Sequence, residues 1–335
     1  MGKRLGKQTV EFENCPSVMG YYSIVGEMEG QGNFKEYFHE ILDDDKLGEK
    51  TFERAERKIL KSTIENCIKT AKLKQEDVNL ILGGDLLNQI ISTSFAVRDL
   101  NIPYLGVYGA CSTMGEAIAI GSCLVDGGCV ENCIAATGTH FSTAERQYRF
   151  PLELGNQRPP TSQWTVTGAG SCALGNRKSK IKVKNITFGK VIDYGIKDVN
   201  NMGAAMAPAA MDTLVAHFVD TKTTPNDYDL IVTGDLGKMG SEILMDLMER
   251  KDFKLEKNYN DCGQMMYTCS QRTFQGASGA GCSASVLCSY IFKKMEKGDF
   301  KKVLFAPTGA LLSTTSCQQG ESIPSICNLV QFETE

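Results

Sequence analysis

The sequence is poor in the residue patterns that bind zinc. It has only three histidines, His39, His140 and His217. It has 13 cysteines but no C-x-x-C pattern, and the nearest pair, Cys129 and Cys133, is C-x3-C. A structural zinc site needs its nitrogen and sulfur ligands at tighter spacing. We therefore expect no protein-held metal, and interpret most cysteines as reduced, buried small residues in a reducing compartment.

Long apolar runs are also missing. No uninterrupted apolar run reaches the length of a membrane span. The lysine-rich segment 1–8 is not followed by the apolar region of a signal peptide. The formal net charge of -4 gives no reason to expect a nucleic-acid partner. The sequence thus predicts a globular protein that is made inside the cell and does not cross a bilayer on its own. Its 335 residues suffice for one large or two medium domains.

One stretch has the order of a strand, a tight glycine turn, a cysteine and a helix. The apolar run 102–108 precedes the turn 109–113, and the small-residue run 117–125 follows it. Cys111 at this turn is expected in the field of the helix N-terminus, among unpaired backbone N–H groups. That environment favours a thiolate or a bound anion. The alternative is a small core residue at a turn.

The chain contains an internal repeat. Three segments recur in the same order: 77–88, 109–118 and 132–142 are matched by 227–237, 276–285 and 302–313. Three matches in one order indicate the duplication of a strand–helix unit. Both copies alternate helix and strand, and their strands are almost continuously apolar, which is typical of parallel sheets with helices on both faces.

We therefore predict an α/β protein in two halves, 1–180 and 181–335. The acidic, glycine-rich segment 26–48 is expected to be a surface excursion from the first half. The GxG at 168–170 lacks the strand-then-helix setting and the third glycine of a dinucleotide site, so no nucleotide cofactor is expected. Small residues there suit close backbone packing instead.

A duplicated α/β unit with a cysteine at a helix N-terminus in its first copy resembles the thiolase fold, shared by thiolases and the condensing enzymes of fatty-acid synthesis. At finer grain the sequence resembles the stage V sporulation protein AD family. The resembling segments are 84–89 (GDLLNQ), 109–113 (GACST), 143–151 (TAERQYRFP), 202–210 (MGAAMAPAA), 260–263 (NDCG), 308–313 (TGALLS) and 321–324 (ESIP). The resemblance implies a thiolase-like fold, internally duplicated and five-layered (α-β-α-β-α), and a homodimer formed through an edge strand of the first half.

The same resemblance implies a function. It implies binding of pyridine-2,6-dicarboxylate (dipicolinic acid), as the Ca²⁺ chelate, for uptake into the developing spore and release in germination. The implied partners are membrane proteins of the same sporulation operon, which would hold the protein at the inner spore membrane. No cofactor is implied beyond the Ca²⁺ carried with dipicolinate.

The partners for condensing chemistry are not evident. That chemistry needs a base and an oxyanion hole, which the resembled enzymes take from histidine, or histidine and asparagine, in the second half. In this sequence no histidine follows His217, and the turn matched by the repeat carries Asp235. Ala277 and Ser278 occupy the segment in which the condensing enzymes would have asparagine. We predict a binding protein. The alternatives are an acyltransferase or condensing enzyme with Cys111 as nucleophile, and a scaffold that binds no small molecule.

A dicarboxylate site needs backbone N–H groups, hydroxyls, cations, or Ca²⁺ bridging to protein carboxylates. Asp85 and Asp235 end equivalent strands, where ligands collect in open α/β sheets, although each is also suited to cap the next helix. Arg146 and Arg149 either neutralise the ligand or form interface contacts and salt bridges. The predicted ligand-contacting residues are Asp85, Asn88, Cys111, Ser112, Thr113, His140, Ser142, Arg146, Asp235 and Ser313.

Overall fold

The sheet is built from two halves with the same strand order. The computed structural model describes residues 2–148 and 158–334. In this part of the chain the strands are β1 (Lys3–Leu5), β2 (Thr9–Glu11), β3 (Ser17–Val25), β4 (Glu40–Ile41), β5 (Leu80–Gly84), β6 (Tyr104–Gly106), β7 (Asn132–Thr139), β8 (Trp164–Thr165), β9 (Gly168–Gly175), β10 (Ile181–Thr187), β11 (Leu230–Thr233), β12 (Tyr259–Asp261), β13 (Ala277–Ser278), β14 (Lys302–Ala306), β15 (Thr308–Ala310), β16 (Ser325–Cys327) and β17 (Leu329–Thr334).

Helices alternate with these strands. They are α1 (Glu27–Gly30), α2 (Phe52–Thr70), α3 (Ile91–Arg98), α4 (Thr113–Asp126), α5 (Phe141–Tyr148), α6 (Met202–Thr221), α7 (Gly237–Glu249), α8 (Cys262–Met266), α9 (Ala280–Val286), α10 (Phe292–Lys297) and α11 (Thr314–Gln318). A 3-10 turn, Ala110–Ser112, precedes α4, and a π-helical turn, Leu287–Ile291, joins α9 to α10.

The strand order reveals the duplication. Along the sheet the order is β12-β11-β14-β17-β10-β3-β9-β7-β5-β6. In the second half β11 is parallel to β12 and β14, and β17 is antiparallel to β14 and β10. In the first half β5 is parallel to β6 and β7, and β9 is antiparallel to β7 and β3. The same order and directions occur twice, which confirms the internally duplicated fold predicted from the repeated segments.

Helices separate and cover the two halves. Helix α4 lies between them, because it contacts β5 and β7 on one side and β17 on the other. Helix α9 packs on β7 and β9 beside it, and a Cβ on Gly170 would lie 2.2 Å from the Ala284 carbonyl oxygen. The outer faces carry α2 and α3 on the first half, and α6 and α7 on the second. The layers therefore run α-β-α-β-α, as predicted, and the small residues at 168–170 permit the close packing.

Helix α2 is an amphipathic helix that covers the sheet of the first half. The Thr51 side chain caps its N-terminus by accepting a hydrogen bond from the Arg54 N–H. Its apolar positions, among them Ala55, Ile59 and Cys67, are buried against the sheet.

The segment 26–48 is more deeply anchored than a surface excursion. Phe34, Phe38 and Leu42 are buried, and the Phe34 ring lies 4.7 Å from the Tyr290 ring. Burial of aromatic side chains of this segment against helices of the second half holds the segment in a fixed position. The segment thus contributes a fixed wall to the protein surface.

One described helix has the length and apolar character of a membrane span. Helix α6 begins at Asn201, whose side chain accepts a hydrogen bond from the Ala204 N–H, and it contains Pro208. Of its most apolar window, 67% is buried inside the protein, as in a core helix. It covers the second half, and Met202 at its start reaches the cavity described next.

Candidate functional site

The turn before α4 presents Cys111 to a cavity. Ala110 has a φ of 50°, a left-handed conformation that non-glycine residues rarely adopt. Such strain occurs where the surrounding structure fixes a functional turn. Strand β15 crosses the turn so closely that a Cβ on Gly309 would lie 1.9 Å from the Gly109 carbonyl oxygen. Glycine is therefore required at 309 for the two halves to meet at Cys111.

Two adjoining cavities open at this turn. The inner one has an empty volume of about 480 Å³, including its mouth, and is lined by Leu86, Ala110, Cys111, Ala144, Glu145, Tyr148, Thr165, Met202, Ser278, Ala310 and Leu312. The outer one, about 1230 Å³, is lined by Leu86, Leu87, Asn88, Gln89, Ile90, Gly106, Val107, Tyr108, Tyr148, Leu311, Leu312, Ser313 and Ser316. Both include Leu86, Tyr148 and Leu312, so the outer cavity leads to the inner one.

Asp235 lies against the Cys111 thiol. It follows β11 as Asp85 follows β5, and its carboxyl group is hydrogen bonded to the thiol. Its Oδ2 also accepts hydrogen bonds from the Gly279 N–H (2.9 Å) and the Ser278 hydroxyl (3.2 Å). A carboxyl group of the second half thus lies beside the cysteine of the first.

Burial favours the neutral forms of both groups. It raises the pKa of the Cys111 thiol well above its usual value, and the charge of Asp235 raises it further. Burial also raises the pKa of Asp235 to about 7. The expectation of a thiolate at Cys111 is corrected, because desolvation outweighs the field of the helix N-terminus. The pair is therefore suited to hold a proton and not to generate a nucleophile.

Asp85 stabilises the loop that lines the cavities. Its Oδ1 accepts a hydrogen bond from the Leu87 N–H (2.9 Å), and its Oδ2 accepts from the N–H and hydroxyl of Thr93 (both 2.7 Å). It lines neither cavity. These hydrogen bonds favour the capping alternative, and a ligand contact of Asp85 stays a prediction. Asp85 acts on the site by positioning Leu86 and Asn88.

Ser112 and Thr113 are engaged within the turn. The Ser112 hydroxyl accepts a hydrogen bond from the Asn328 N–H (3.1 Å), and the Thr113 hydroxyl donates to the Ala110 carbonyl (2.6 Å). Neither residue lines a cavity. These hydrogen bonds fix the Cys111 turn, and the ligand contacts of both residues stay a prediction.

His140 and Ser142 lie on the excursion side of β7. His140 Nε2 is 3.0 Å from the Asp45 carbonyl, and its Nδ1 accepts a hydrogen bond from the Ser142 N–H (3.1 Å). Burial lowers the pKa of His140, so it is held neutral, donating through Nε2. Neither residue lines the cavities at Cys111. His140 thus connects the segment 26–48 to the sheet, and the ligand contacts of both residues stay a prediction that the cavities at Cys111 do not support.

The remaining predicted residues divide between the outer cavity and the surface. Asn88 and Ser313 line the outer cavity, and the Ser313 hydroxyl accepts a hydrogen bond from the Ser316 N–H at the start of α11. Arg146 pairs with Glu53 and lines neither cavity, which favours the salt-bridge alternative over the ligand contact. Arg149 lies outside the described residues.

Several lining residues were not predicted as site residues. Ala144, Glu145 and Tyr148 share one side of α5, and the Tyr148 hydroxyl donates a hydrogen bond to the Leu86 carbonyl (2.6 Å). The signal was available in the segment 143–151, because Tyr148 lies three residues after Glu145 and four after Ala144, and positions three and four apart share one side of a helix. In that segment the sequence analysis favours Arg146 and Arg149 instead, because of their charge.

Metal ligands are not gathered at the cavities. Among residues 2–148 and 158–334, no group of three or more His, Cys, Asp or Glu side chains is placed to share a metal ion. The lining of the inner cavity includes the polar residues Glu145, Tyr148, Thr165 and Ser278, and the hydroxyls of Tyr148 and Ser278 already donate to the Leu86 carbonyl and to Asp235.

Comparison with known proteins places these features in a family. The sequence model of the family described as Stage V sporulation protein AD matches residues 6–333. The Stage V sporulation protein AD of Bacillus subtilis (strain 168) is 42% identical over 331 residues, covering 99% of this chain and 98% of the relative.

Solved structures of condensing enzymes share the fold. The 3-oxoacyl-[acyl-carrier-protein] synthase III of Aquifex aeolicus VF5 has a TM-score of 0.58 at 10% identity, covering 95% of this chain and 99% of that chain. Cerulenin-bound OleA of Xanthomonas campestris has a TM-score of 0.61 at 13% identity, covering 96% of this chain and 97% of that chain. At such identities the likeness concerns the thiolase-like fold alone.

Proposed function

Because the chain belongs to the stage V sporulation protein AD family, we propose that it binds dipicolinate, as the Ca²⁺ chelate, in the cavities at Cys111. Family membership supports the ligand class. The observation that supports the location is the inner cavity, which is lined by residues of both halves, among them Cys111, and adjoins the outer cavity. Its largely apolar wall suits a small aromatic molecule.

The polar groups of the inner cavity favour the chelate over the bare dianion. The wall includes the buried residue Glu145. A carboxylate repels a dianion but serves as an oxygen ligand to Ca²⁺, which accepts six to eight oxygens. Dipicolinate carries part of that shell itself, and Glu145, Thr165 and Ser278 are suited to complete it.

The neutral thiol supports a binding role without chemistry. Acyl transfer needs a thiolate and a base that receives its proton. Cys111 instead hydrogen bonds to Asp235, whose charge raises the pKa of the thiol. None of the three histidines lines the described cavities. We therefore expect the protein to bind its ligand and release it unchanged.

In the cell this binding would serve dipicolinate uptake during sporulation and release in germination. The protein would work at the inner spore membrane beside membrane proteins of the same operon. It would deliver a neutral chelate to them and contribute no membrane span of its own.

Isothermal titration calorimetry tests the proposal. Wild-type protein is titrated with dipicolinate, with and without equimolar Ca²⁺, and compared with Glu145→Gln and Ser142→Ala. Both positions lie on α5, but only Glu145 lines the cavity. We expect saturable binding that requires Ca²⁺ and is weakened about tenfold, or 1.4 kcal/mol, by Glu145→Gln. Ser142→Ala should leave it unchanged. Absence of saturable binding in both conditions would refute the proposal.

The fold of the condensing enzymes supports one competing function, acyl transfer through Cys111. It predicts that incubation with acyl-CoA adds an acyl mass to the wild type and not to Cys111→Ala. Intact-mass spectrometry distinguishes the two functions. An acyl adduct at Cys111 would support the enzyme, and an unmodified protein that still binds dipicolinate would support the binding function.

A further inference from the structure

A third cavity lies on the excursion side of the molecule, separate from the cavities at Cys111. Its empty volume is about 680 Å³, including its mouth. The lining residues are Gly26, Glu27, Met28, Glu29, Asp43, Asp44, Asp45, Phe141, Trp164 and Thr167. We call it the acidic cleft. None of these residues lines the inner or outer cavity, so its chemistry is independent of the proposed dipicolinate site.

Glu29 gives the cleft a buried acceptor without a partner. Only 1% of the residue is exposed. Its Oε1 accepts hydrogen bonds from the Thr167 N–H (3.3 Å) and the Tyr267 hydroxyl. Its Oε2 is buried and has no hydrogen-bond partner. A Cβ on Gly26, which lines the cleft, would lie 2.9 Å from Oε2, so this oxygen faces the glycine wall. An unpaired buried carboxylate oxygen is costly, and a ligand donor would remove that cost.

The other charges of the cleft have the same sign. Glu27, Asp43 and Asp45 contribute carboxylates, whereas Asp44 is engaged in its own loop, accepting from the Lys46 and Gly48 N–H groups. The described lining contains no lysine or arginine. The contact between His140 and the Asp45 carbonyl fixes this wall against the sheet. The cleft is thus a preformed region of negative potential.

An aromatic pair forms the remaining wall. The rings of Phe141 and Trp164 are stacked with centroids 4.1 Å apart. The guanidinium carbon of Arg158 lies over the Trp164 ring, 4.7 Å from its centroid. The Trp164 ring therefore already makes one cation–π contact, with the Arg158 guanidinium. Aromatic rings beside carboxylates are the usual recognition elements for organic cations.

We propose that the acidic cleft binds an organic cation, a primary ammonium or guanidinium group, which donates to Glu29 Oε2 and packs against Phe141. A bare metal ion fits the cleft less well. The described parts of the chain hold no set of three acidic, cysteine or histidine side chains close enough to share one. A flat or extended cation with an apolar stem uses both the carboxylates and the rings.

Trp164 supplies the readout, because it is the single tryptophan of the chain and lines the cleft. Its fluorescence is followed while the protein is titrated with 1,4-diaminobutane, or with the peptide acetyl-Gly-Lys-Gly-amide. The matched neutral probe is acetyl-Gly-norleucine-Gly-amide. We expect saturable changes with the two cations and none with the neutral peptide. Tighter binding of the lysine peptide would identify a protein side chain as the occupant, and tighter binding of the diamine a free amine.

Variants test whether the fluorescence change comes from binding in the acidic cleft. Glu29→Gln should weaken cation binding by about tenfold or more, and Asp45→Asn by a few fold. Glu36→Gln, which removes an exposed carboxylate outside the cleft, should have no effect. The proposal is overturned if the cations cause no saturable change, if the norleucine peptide binds equally well, or if CaCl2 displaces the amine at lower concentration than the amine itself binds. An unchanged affinity in both Glu29→Gln and Asp45→Asn would also overturn it.

Discussion

The thiol of Cys111 and the carboxyl of Asp235 form a hydrogen-bonded pair that joins the two halves of the chain. Each residue stands just beyond a parallel strand of its own half. Cys111 faces the inner cavity, and Asp235 lies behind it, fully buried. The pair has consequences for reactivity and for stability, because both groups favour their neutral forms in the folded protein.

The first consequence is an unreactive thiol. With iodoacetamide at about pH 7.5, we expect Cys111 to be alkylated at least about 100-fold more slowly than the exposed Cys129 and Cys269. Asp235→Asn removes the neighbouring charge, which lowers the thiol pKa, so labelling of Cys111 should accelerate. Peptide mass spectrometry measures each site separately. Labelling of wild-type Cys111 at the rate of Cys129 would contradict the assignment of a neutral thiol.

The second consequence is a loss of stability as the pH rises. The pKa of Asp235 is about 7 in the folded protein, compared with about 3.9 in an unfolded chain. Between these values the folded state holds a proton that the unfolded state has released. By linkage, the free energy of unfolding contributed by Asp235 is largest below about pH 4 and falls by up to about 4 kcal/mol as the pH rises through 7.

Urea denaturation at about pH 5 and about pH 8 checks this sign. Asp235→Asn should reduce the difference in the free energy of unfolding between the two pH values. Relative to wild type, the variant should be more stable at about pH 8 than at about pH 5. Part of the decrease in the free energy of unfolding with pH will remain in the variant, because burial also raises the pKa of Glu29 to about 7. If the wild-type protein is more stable at about pH 8 than at about pH 5, other titrating groups outweigh Asp235 and Glu29.

The fold was predictable because its signals are repeated and long. The duplicated segments predicted equal halves, and β5 and β11 indeed occupy equivalent places. Side-chain directions were not predictable in the same way. Asp85 and Asp235 occupy matched turns, yet one accepts three hydrogen bonds from its own loop and the other faces Cys111. Backbone partners that decide such directions lie far apart in sequence, as the pairing of His140 with Asp45 illustrates.

Asp85 should be a positioning residue. Asp85→Ala removes acceptors for the Leu87 and Thr93 donors in a fully buried site. We expect it to lower the free energy of unfolding by about 2–4 kcal/mol, since buried donors are left unpaired. Asp99→Ala, which removes an exposed carboxylate paired with Arg98, should cost less than about 1 kcal/mol. Chemical denaturation compares the two variants, and equal losses would contradict the assigned role.

The last prediction concerns the edge of the sheet. Strand β6 is the terminal strand of the first half, and Leu105 on it is 50% exposed. Ile91, Phe95 and Tyr108 are further exposed apolar residues of the first half near this edge in sequence. An unpaired edge strand with apolar side chains is a template for pairing with another strand. We therefore propose that two copies associate through β6, which would place the partner beside the outer cavity, since Gly106 lines it.

Sedimentation velocity at several protein concentrations tests this association. Leu105→Lys should weaken the dimer by at least about tenfold, because the lysine charge would be desolvated in the interface. Val219→Lys changes an apolar side chain of similar exposure on α6, outside this edge, and should leave the dimer intact. If Leu105→Lys sediments like the wild type while Val219→Lys dissociates, the interface lies on the second half. A wild type that stays monomeric at every concentration would exclude the β6 dimer.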